Sequence, residues 1–309
     1  MHFSIYFIPR SECKHDAVIG ILSFPEANAS MMQLLEFFHS LKLFVSFPEA
    51  MNIDMDKMII FKNTYTHQHF MTGEMVGFTV DLSKPLVFQV GHLGETYQEW
   101  VHTPILTSES PRFFESDFLE ILTRTVWWVV PVIWVPVGLY FITMSYTMGH
   151  SLPLVVLMAV VGAFVWTFLE YCFHRFLFHI DTNSYWGNTF HYLIHGCHHK
   201  HPMDGLRLVI PPAEAAILAL MFWNLYGILF TLSIRPVMFG GGLIGYVMYD
   251  MIHYYIHHGQ PTKQSLKSIK KYHLNHHFRI QNKGFGITTA LWDRVFGTLP
   301  DTKAADKSG

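Results

Sequence analysis

Four long apolar runs, almost free of charged residues, restrict the fold of this chain more than any other feature. They cover residues 126–144, 152–169, 215–234 and 237–256. A helix needs about 20 apolar residues to cross the hydrocarbon core of a bilayer, and short gaps join these runs in pairs. The predicted fold is therefore an all-α membrane protein with four transmembrane helices in two hairpins.

Composition and charge agree with this prediction. Charged residues make up only 14% of the chain, whereas soluble proteins average about 25%, so a soluble four-helix bundle would lack polar surface. The net charge of -2 and the absence of Lys/Arg runs argue against nucleic acid as a partner. Lys and Arg are rare in the hairpin tips and frequent after residue 257. The positive-inside rule then places both termini and residues 171–212 in the cytosol.

Histidines are concentrated in short motifs on this predicted cytosolic side, where a helical cap is expected. The motifs are "HRFLFH", "HGCHH", "HYYIHH" and "HLNHH". They contain ten candidate metal ligands: His174, His179, His195, His198, His199, His253, His257, His273, His276 and His277. Residues at i, i+3 and i+4 share a helix face, so each HxxHH trio is predicted to point at one spot. His174 and His179 are five apart, and they converge only if the helix ends, unwinds or contains a π-bulge.

The number of histidines predicts the kind of site. Neutral imidazole is a common ligand of iron, copper, nickel and zinc, and ten imidazoles exceed what one ion can hold. Two metal ions with about five ligands each, and an open position for oxygen, account for them. Isolated histidines such as His102 and His150 are expected to be ordinary surface or core residues, and Cys197 a free thiol.

Redox-inert zinc sites normally need three or four ligands, so the ten imidazoles suggest two iron ions. Such a centre can activate O2 and break an unactivated C–H bond of an acyl chain arriving from the membrane. Zinc can occupy the site in purified protein, because divalent-metal affinities generally rise from iron toward copper and zinc.

Longer strings carry a resemblance to a known family. They are "VDLSKPLVFQVGHLGETYQEWVH" (80–102), "YWGNTFHYLIHGCHHKHPMDGLRLVIPP" (185–212) and "KKYHLNHHFRIQNKGFGITTALWDRVFGTLP" (270–300). With the histidine motifs, they resemble the fatty acid hydroxylase superfamily of membrane di-iron enzymes, in particular the plant-type fatty acid 2-hydroxylases. The likeness covers about 76–300, and the HPGG haem motif of a fused cytochrome b5 domain does not occur.

The resemblance implies oxygen-dependent hydroxylation at C2 of long and very-long acyl chains destined for sphingolipids. It also implies electrons from NAD(P)H through a separate cytochrome b5 and its reductase, and a place in the endoplasmic reticulum membrane. The expected organisation is a hydroxylase domain over 126–300, preceded by a cytosolic segment (76–125) and an extension without an assigned role (1–75), and followed by a tail (301–309).

Four residues near the motifs are candidates for supporting the ligands: Asp250, Glu170, His191 and His258. Asp250 and Glu170 precede His253 and His174 by about one helical turn and are placed to orient their imidazoles. Two alternative functions remain open from spacing alone. A desaturase or sterol oxidase would use nearly the same histidines, and a histidine-rich metal transporter is a further alternative, although its polar residues belong near the midplane of the spans.

Overall fold

The computed structural model describes residues 78–107 and 109–300. These residues form helices and loops, without a β-strand among them. The helices are α1 (Val87–Val90), α2 (Tyr97–Val101), α3 (Asp117–Leu122), α4 (Val129–Thr147), α5 (Leu152–Cys172), α6 (Tyr185–His191), α7 (Cys197–Lys200), α8 (Pro212–Leu229), α9 (Arg235–His258), α10 (Gln264–Phe278) and α11 (Leu291–Val295). The predicted N-terminal extension (1–75) and tail (301–309) lie outside the described residues.

Three helices are long and apolar enough to cross a membrane: α4, α8, and α5 together with the helical turn that continues it to Phe178. Their outer faces carry large apolar side chains, including Val132 (63% exposed), Val160 (60%) and Ile228 (83%). Contiguous apolar surface of this kind is unfavourable in water and favourable against lipid. The chain is therefore a membrane protein, as the composition predicted.

The fourth predicted span falls on α9, which has 24 residues but is not among those three helices. It is less apolar because it carries glycines, tyrosines, Asp250 and the histidines of one motif. Helix α9 is buried along most of its length between α4 and α5. A side chain at Gly162 would put its Cβ 2.5 Å from the Met238 carbonyl oxygen, and one at Gly241 would meet the backbone of Ala159. Such small residues let apolar helices approach closely, as in membrane bundles.

The second hairpin differs from its predicted form. Residues 215–234 were expected to be one span joined to the next by Arg235 and Pro236, but α8 ends at Leu229 and α9 begins at Arg235. The turn is therefore 230–234. Proline is compatible with the first helical turn because the backbone N–H groups there have no partner within the helix. Arg235 turns back over the Trp223 ring at 3.7 Å and donates to the Trp223 carbonyl.

The segment before α4 is fixed to the loop that follows α7. Arg207 is buried and donates to the Glu120 carboxylate of α3 and to the Pro111 carbonyl. Its guanidinium also lies 3.7 Å from the centre of the Phe113 ring. Because a buried charge needs partners, this contact holds residues 110–120 and the end of the histidine-bearing segment together.

Candidate metal centre

The ten predicted ligands lie together in two groups of five, and within each group the ligand atoms are all within 4.8 Å of one another. The first group comprises His174, His179, His195, His199 and His276, and the second comprises His198, His253, His257, His273 and His277. All are buried except His179, which is partly exposed. The two groups are neighbours, because the His199 and His277 rings are 4.3 Å apart.

A π-helical turn brings the first pair of histidines together. Residues Phe173–Phe178 continue α5 as a π-helix, whose i→i+5 hydrogen bonds align residues five apart. The rings of His174 and His179 consequently lie 5.1 Å apart. The prediction that this pair needs a local helix distortion is confirmed. A second π-helical turn, Tyr192–Gly196, carries His195 and was not predicted.

The expectation that each HxxHH trio points at one spot is wrong. His195 and His199 belong to the first group, with their Nε2 atoms 3.1 Å apart, whereas His198 packs against His253 in the second group at 4.6 Å between rings. Adjacent helical residues diverge by about 100°, so His198 and His199 face different groups.

The second trio is divided in the opposite sense. His273 and His277 lie in the second group, with 3.0 Å between their Nε2 atoms. His276 instead reaches into the first group, 2.8 Å from the Nε2 of His179. Each trio therefore gives two histidines to one group and one to the other. Both histidine-bearing segments thus contribute to both groups. His253 and His257 share a group, as their i, i+4 spacing predicted.

Backbone carbonyls fix the tautomers of two histidines. Nδ1 of His174 donates to the Phe285 carbonyl oxygen at 2.6 Å, and Nδ1 of His276 donates to the Lys283 carbonyl oxygen at 2.9 Å. Because a neutral imidazole has one N–H, Nε2 of each ring then carries a lone pair. Nε2 of His174 is buried without a hydrogen-bond partner, and it is aimed into the first group, as expected for a metal ligand.

The spacing of the ring nitrogens fits metal ions. Neighbouring Nε2 atoms in both groups are 2.8–3.1 Å apart. Two ligand nitrogens at right angles on one ion, each about 2.1 Å from it, are about 3.0 Å apart. When several neutral imidazoles point their Nε2 atoms at one place, hydrogen bonds can join only some pairs of these atoms. The remaining lone pairs repel one another unless a cation lies among them.

Burial also favours the form of imidazole that binds metals. It is the main cause that holds the pKa of His195, His198 and His199 well below the ordinary histidine value, and neighbouring imidazoles add to the effect. These side chains are therefore neutral at pH 7, as a metal ligand must be. Burial raises the pKa of the Cys197 thiol to about 12, which agrees with the free thiol expected there.

The four candidate supporting residues lie outside both groups. Asp250 is buried and accepts from the Ile210 backbone N–H at 3.2 Å. Glu170 accepts from the Thr288 N–H at 2.7 Å. Thr288 lies three residues after Phe285, whose carbonyl accepts from His174. His191 forms a 2.6 Å hydrogen bond with the Tyr97 hydroxyl, and His258 is exposed.

One histidine beside the first group has no sequence signal. His102 was expected to be an ordinary surface or core residue, yet its ring stacks on His179 at 6.1 Å and meets His199 edge-on at 5.1 Å. Its Nδ1 donates to the Gln98 carbonyl at 2.9 Å, and its Nε2 is buried without a partner. His102 is isolated in the sequence, so spacing gave no indication of this contact.

Three membrane-length apolar helices, together with two neighbouring groups of five converging imidazoles, define a class: membrane proteins whose histidines fit a dinuclear metal centre. Similarity to known proteins then identifies the family within this class. The fatty acid hydroxylase family model matches residues 159–298. Dihydroceramide fatty acyl 2-hydroxylase FAH1 of Arabidopsis thaliana is 68% identical over 231 residues, which are 75% of this chain and 98% of that protein. Human fatty acid 2-hydroxylase is 43% identical, over 72% of this chain and 65% of that protein.

A solved structure agrees with these relatives. The hydroxylase domain visible in full-length scs7p is similar to this chain with a TM-score of 0.68 and 38% identity, covering 77% of this chain and 89% of that one. The chain therefore belongs to the fatty acid hydroxylase family, and within it to the plant-type fatty acid 2-hydroxylases.

Proposed function

We propose that this protein is a membrane monooxygenase that hydroxylates C2 of long and very-long fatty acyl chains in dihydroceramide-type sphingolipids. The observation that carries the proposal is the pair of five-histidine groups, the first of which includes His174 and His179 at the end of a membrane-length helix. The substrate assignment is supported by relatives named dihydroceramide fatty acyl 2-hydroxylases. The same names favour hydroxylation over desaturation or sterol oxidation, and an active-site role for the histidines over metal transport.

The ten histidines would hold two iron ions, five histidines to each. Iron, when bound, supplies activation of O2 and cleavage of the strong C–H bond. Zinc would occupy the same imidazoles in purified protein under conditions that favour it.

The protein's own contribution is to bind, orient and exclude water. Burial keeps the imidazoles neutral, and the carbonyls of Phe285 and Lys283 fix the direction of His174 and His276. The burial of the second group keeps bulk water from half of the centre. No side chain needs to act as a nucleophile, because the histidines hold the ions and the fold positions C2.

The membrane arrangement that suits this reaction has four spans, with α9 as the fourth, and a cytosolic helical cap that carries the histidines. Both termini are then cytosolic, in the endoplasmic reticulum, where cytochrome b5 and its reductase pass electrons from NAD(P)H. The hydroxylase domain covers 126–300, preceded by a cytosolic segment (76–125) and by an extension (1–75), and followed by a tail (301–309). Glycine-rich close packing of α9 on α4 and α5 supports its role as a membrane helix.

The test is expression in cells that lack 2-hydroxylated sphingolipids, with lipid mass spectrometry and metal analysis of the purified protein. We expect 2-hydroxyacyl ceramides and two metal ions per chain. The proposal would be contradicted if the protein is expressed and electron donors are present, yet no 2-hydroxyacyl ceramide forms and no metal is bound. An acyl chain with a new double bond would instead support a desaturase, and an oxidised sterol would support a sterol oxidase.

A further inference from the structure

The short helix α11 (Leu291–Val295) packs on the side of α5 within the apolar run 152–169. The Trp292 ring is 4.8 Å from the Phe168 ring and 5.8 Å from the Phe164 ring. Phe164 lies five residues before the end of that run, which is about 8 Å along a helix axis. Because α5 belongs to a membrane-length helix, these contacts place α11 within the hydrocarbon layer, near one of its borders.

The polar side chains at this contact are paired within the protein. The Trp292 indole N–H donates to the Thr167 hydroxyl oxygen at 3.0 Å. The Thr167 hydroxyl in turn donates to the Phe164 carbonyl oxygen at 2.7 Å. Lipid chains cannot form hydrogen bonds, so a polar group at this depth needs a partner inside the protein. The contact between α11 and α5 meets that requirement.

The two faces of α11 differ in polarity. Leu291 and Val295 are four residues apart and therefore share one helix face, and both are exposed. Phe296, directly after the helix, is exposed as well. Asp293 is buried instead, and its carboxylate accepts from two successive backbone N–H groups, of which the first belongs to Phe285, at 3.0 and 2.8 Å. Asp293 thus fixes α11 to the protein while the apolar side chains stay on the outside.

We propose that Leu291, Val295 and Phe296 form a lipid-contacting surface, the α11 surface, which inserts into the bilayer beside α5. Its partner is the acyl chains of membrane phospholipids. The α11 surface is continuous with the lipid-facing side of α5, because the Phe296 ring lies 6.4 Å from the ring of Phe168, which is itself exposed. This inference goes beyond the proposed function, because it holds whichever reaction the metal centre performs.

Neighbouring residues support lipid as the partner of this surface. Arg294 is exposed on α11, and the apolar stem of an arginine lets its guanidinium reach the lipid headgroups from the border of the hydrocarbon layer. Apolar side chains beside a basic residue are typical of helices that lie in the membrane interface. Residues 301–309, which follow in the chain, contain no large apolar side chain and are therefore unsuited to cover the α11 surface.

Photolabelling of the unaltered protein in lipid nanodiscs tests this inference. One probe is phosphatidylcholine with a diazirine in its acyl chain, the other is a water-soluble diazirine, and labelled peptides are identified by mass spectrometry. Residues 263–271, which carry the exposed Lys263, Lys267 and Lys271, are the water-side reference. We expect the lipid probe to label residues 291–296 as it labels α5. We expect the water-soluble probe to label the reference about tenfold more than residues 291–296.

The inference would be overturned if the lipid probe labels α5 but not residues 291–296. Two chains in each nanodisc would then identify a second copy of the protein as the partner of the α11 surface. Labelling of residues 291–296 by the water-soluble probe as strongly as the reference would also overturn the inference, because the surface would then face water.

A charged variant tests the same surface by a second route. Val295→Asp places a carboxylate among lipid chains, so we expect lipid labels on residues 291–296 to fall about fivefold, while those on α4 and α8 stay unchanged. The matched control is Gln264→Asp, which makes the same change of charge at an exposed position of α10 and should label like the unaltered protein. Unchanged lipid labels in Val295→Asp would contradict the inference. If that variant does not fold, the comparison of the two probes on the unaltered protein decides.

Discussion

Loss of the Glu170 carboxylate is expected to weaken metal binding although Glu170 lies outside both histidine groups. Its two oxygens accept from the Thr288 N–H at 2.7 Å and from the Thr288 hydroxyl at 2.5 Å. Three residues earlier, the Phe285 carbonyl accepts from Nδ1 of His174. Glu170 thus anchors the backbone that fixes the direction of a first-group imidazole, and Glu170→Ala removes that anchor.

The expected magnitude follows from these contacts. Glu170 is 3% exposed, and its removal leaves two donors of Thr288 without an acceptor. An unsatisfied buried donor costs about 1–3 kcal/mol. Because Thr288 is only partly buried, we expect the free energy of unfolding to fall by about 2–4 kcal/mol in total. Disturbing the partner of a metal-binding histidine lowers metal affinity by about 10- to 100-fold.

The assay is metal content after equilibration against a graded chelator series, with the unfolding temperature measured in parallel. Glu170→Gln is the matched control, since its carbonyl can accept from the Thr288 N–H while its NH2 donates to the hydroxyl. We expect the Gln variant to stay within about threefold of the unaltered protein. A lower unfolding temperature without any change in metal affinity would refute the link from Glu170 through Phe285 to His174.

Three further predictions concern the groups and the helix packing. His198→Ala and His199→Ala each remove one ligand from a different group. Each should lower metal content from two ions toward one and abolish product, with His150→Ala in the first hairpin tip as the control. A variant that keeps both ions contradicts the role of its histidine as a metal ligand. In metal-stripped protein, the lowered histidine pKa values mean that the unfolded state binds more protons below about pH 6.5, so stability is complete above that pH and falls below it by up to about 1.4 kcal/mol per pH unit and histidine. A pH-independent unfolding temperature between about pH 5 and pH 8 would contradict this. Gly241→Leu should abolish the monodisperse peak in size-exclusion chromatography, because its side chain would overlap the Ala159 backbone, whereas Leu232→Ala on the exposed turn should not.

Much of the architecture could be predicted because it depends on local patterns. Apolar run length predicted the membrane-length helices, since a bilayer sets a minimum length for a helix that crosses it. Apolar run length was a weaker indication for α9, because its glycines and polar residues lower the mean hydropathy of the helix. These residues are tolerated because the neighbouring helices bury them. The helix ends at Leu229 and Arg235 were missed because apolar composition continues through the turn.

The sequence by itself determined that these ten histidines come together. Ten histidines at helical spacings indicated a cluster. The one i, i+5 pair required the helix to end, unwind or contain a π-bulge, and the structure has a π-helical turn at Phe173–Phe178. Only the tertiary structure decided how they are divided, because the group that a helical residue faces depends on which helix lies across from it. His198 and His276 therefore cross to the group opposite their sequence neighbours. The contacts of His102 and the partner of Glu170 likewise join residues distant in the chain, which spacing along one segment does not encode.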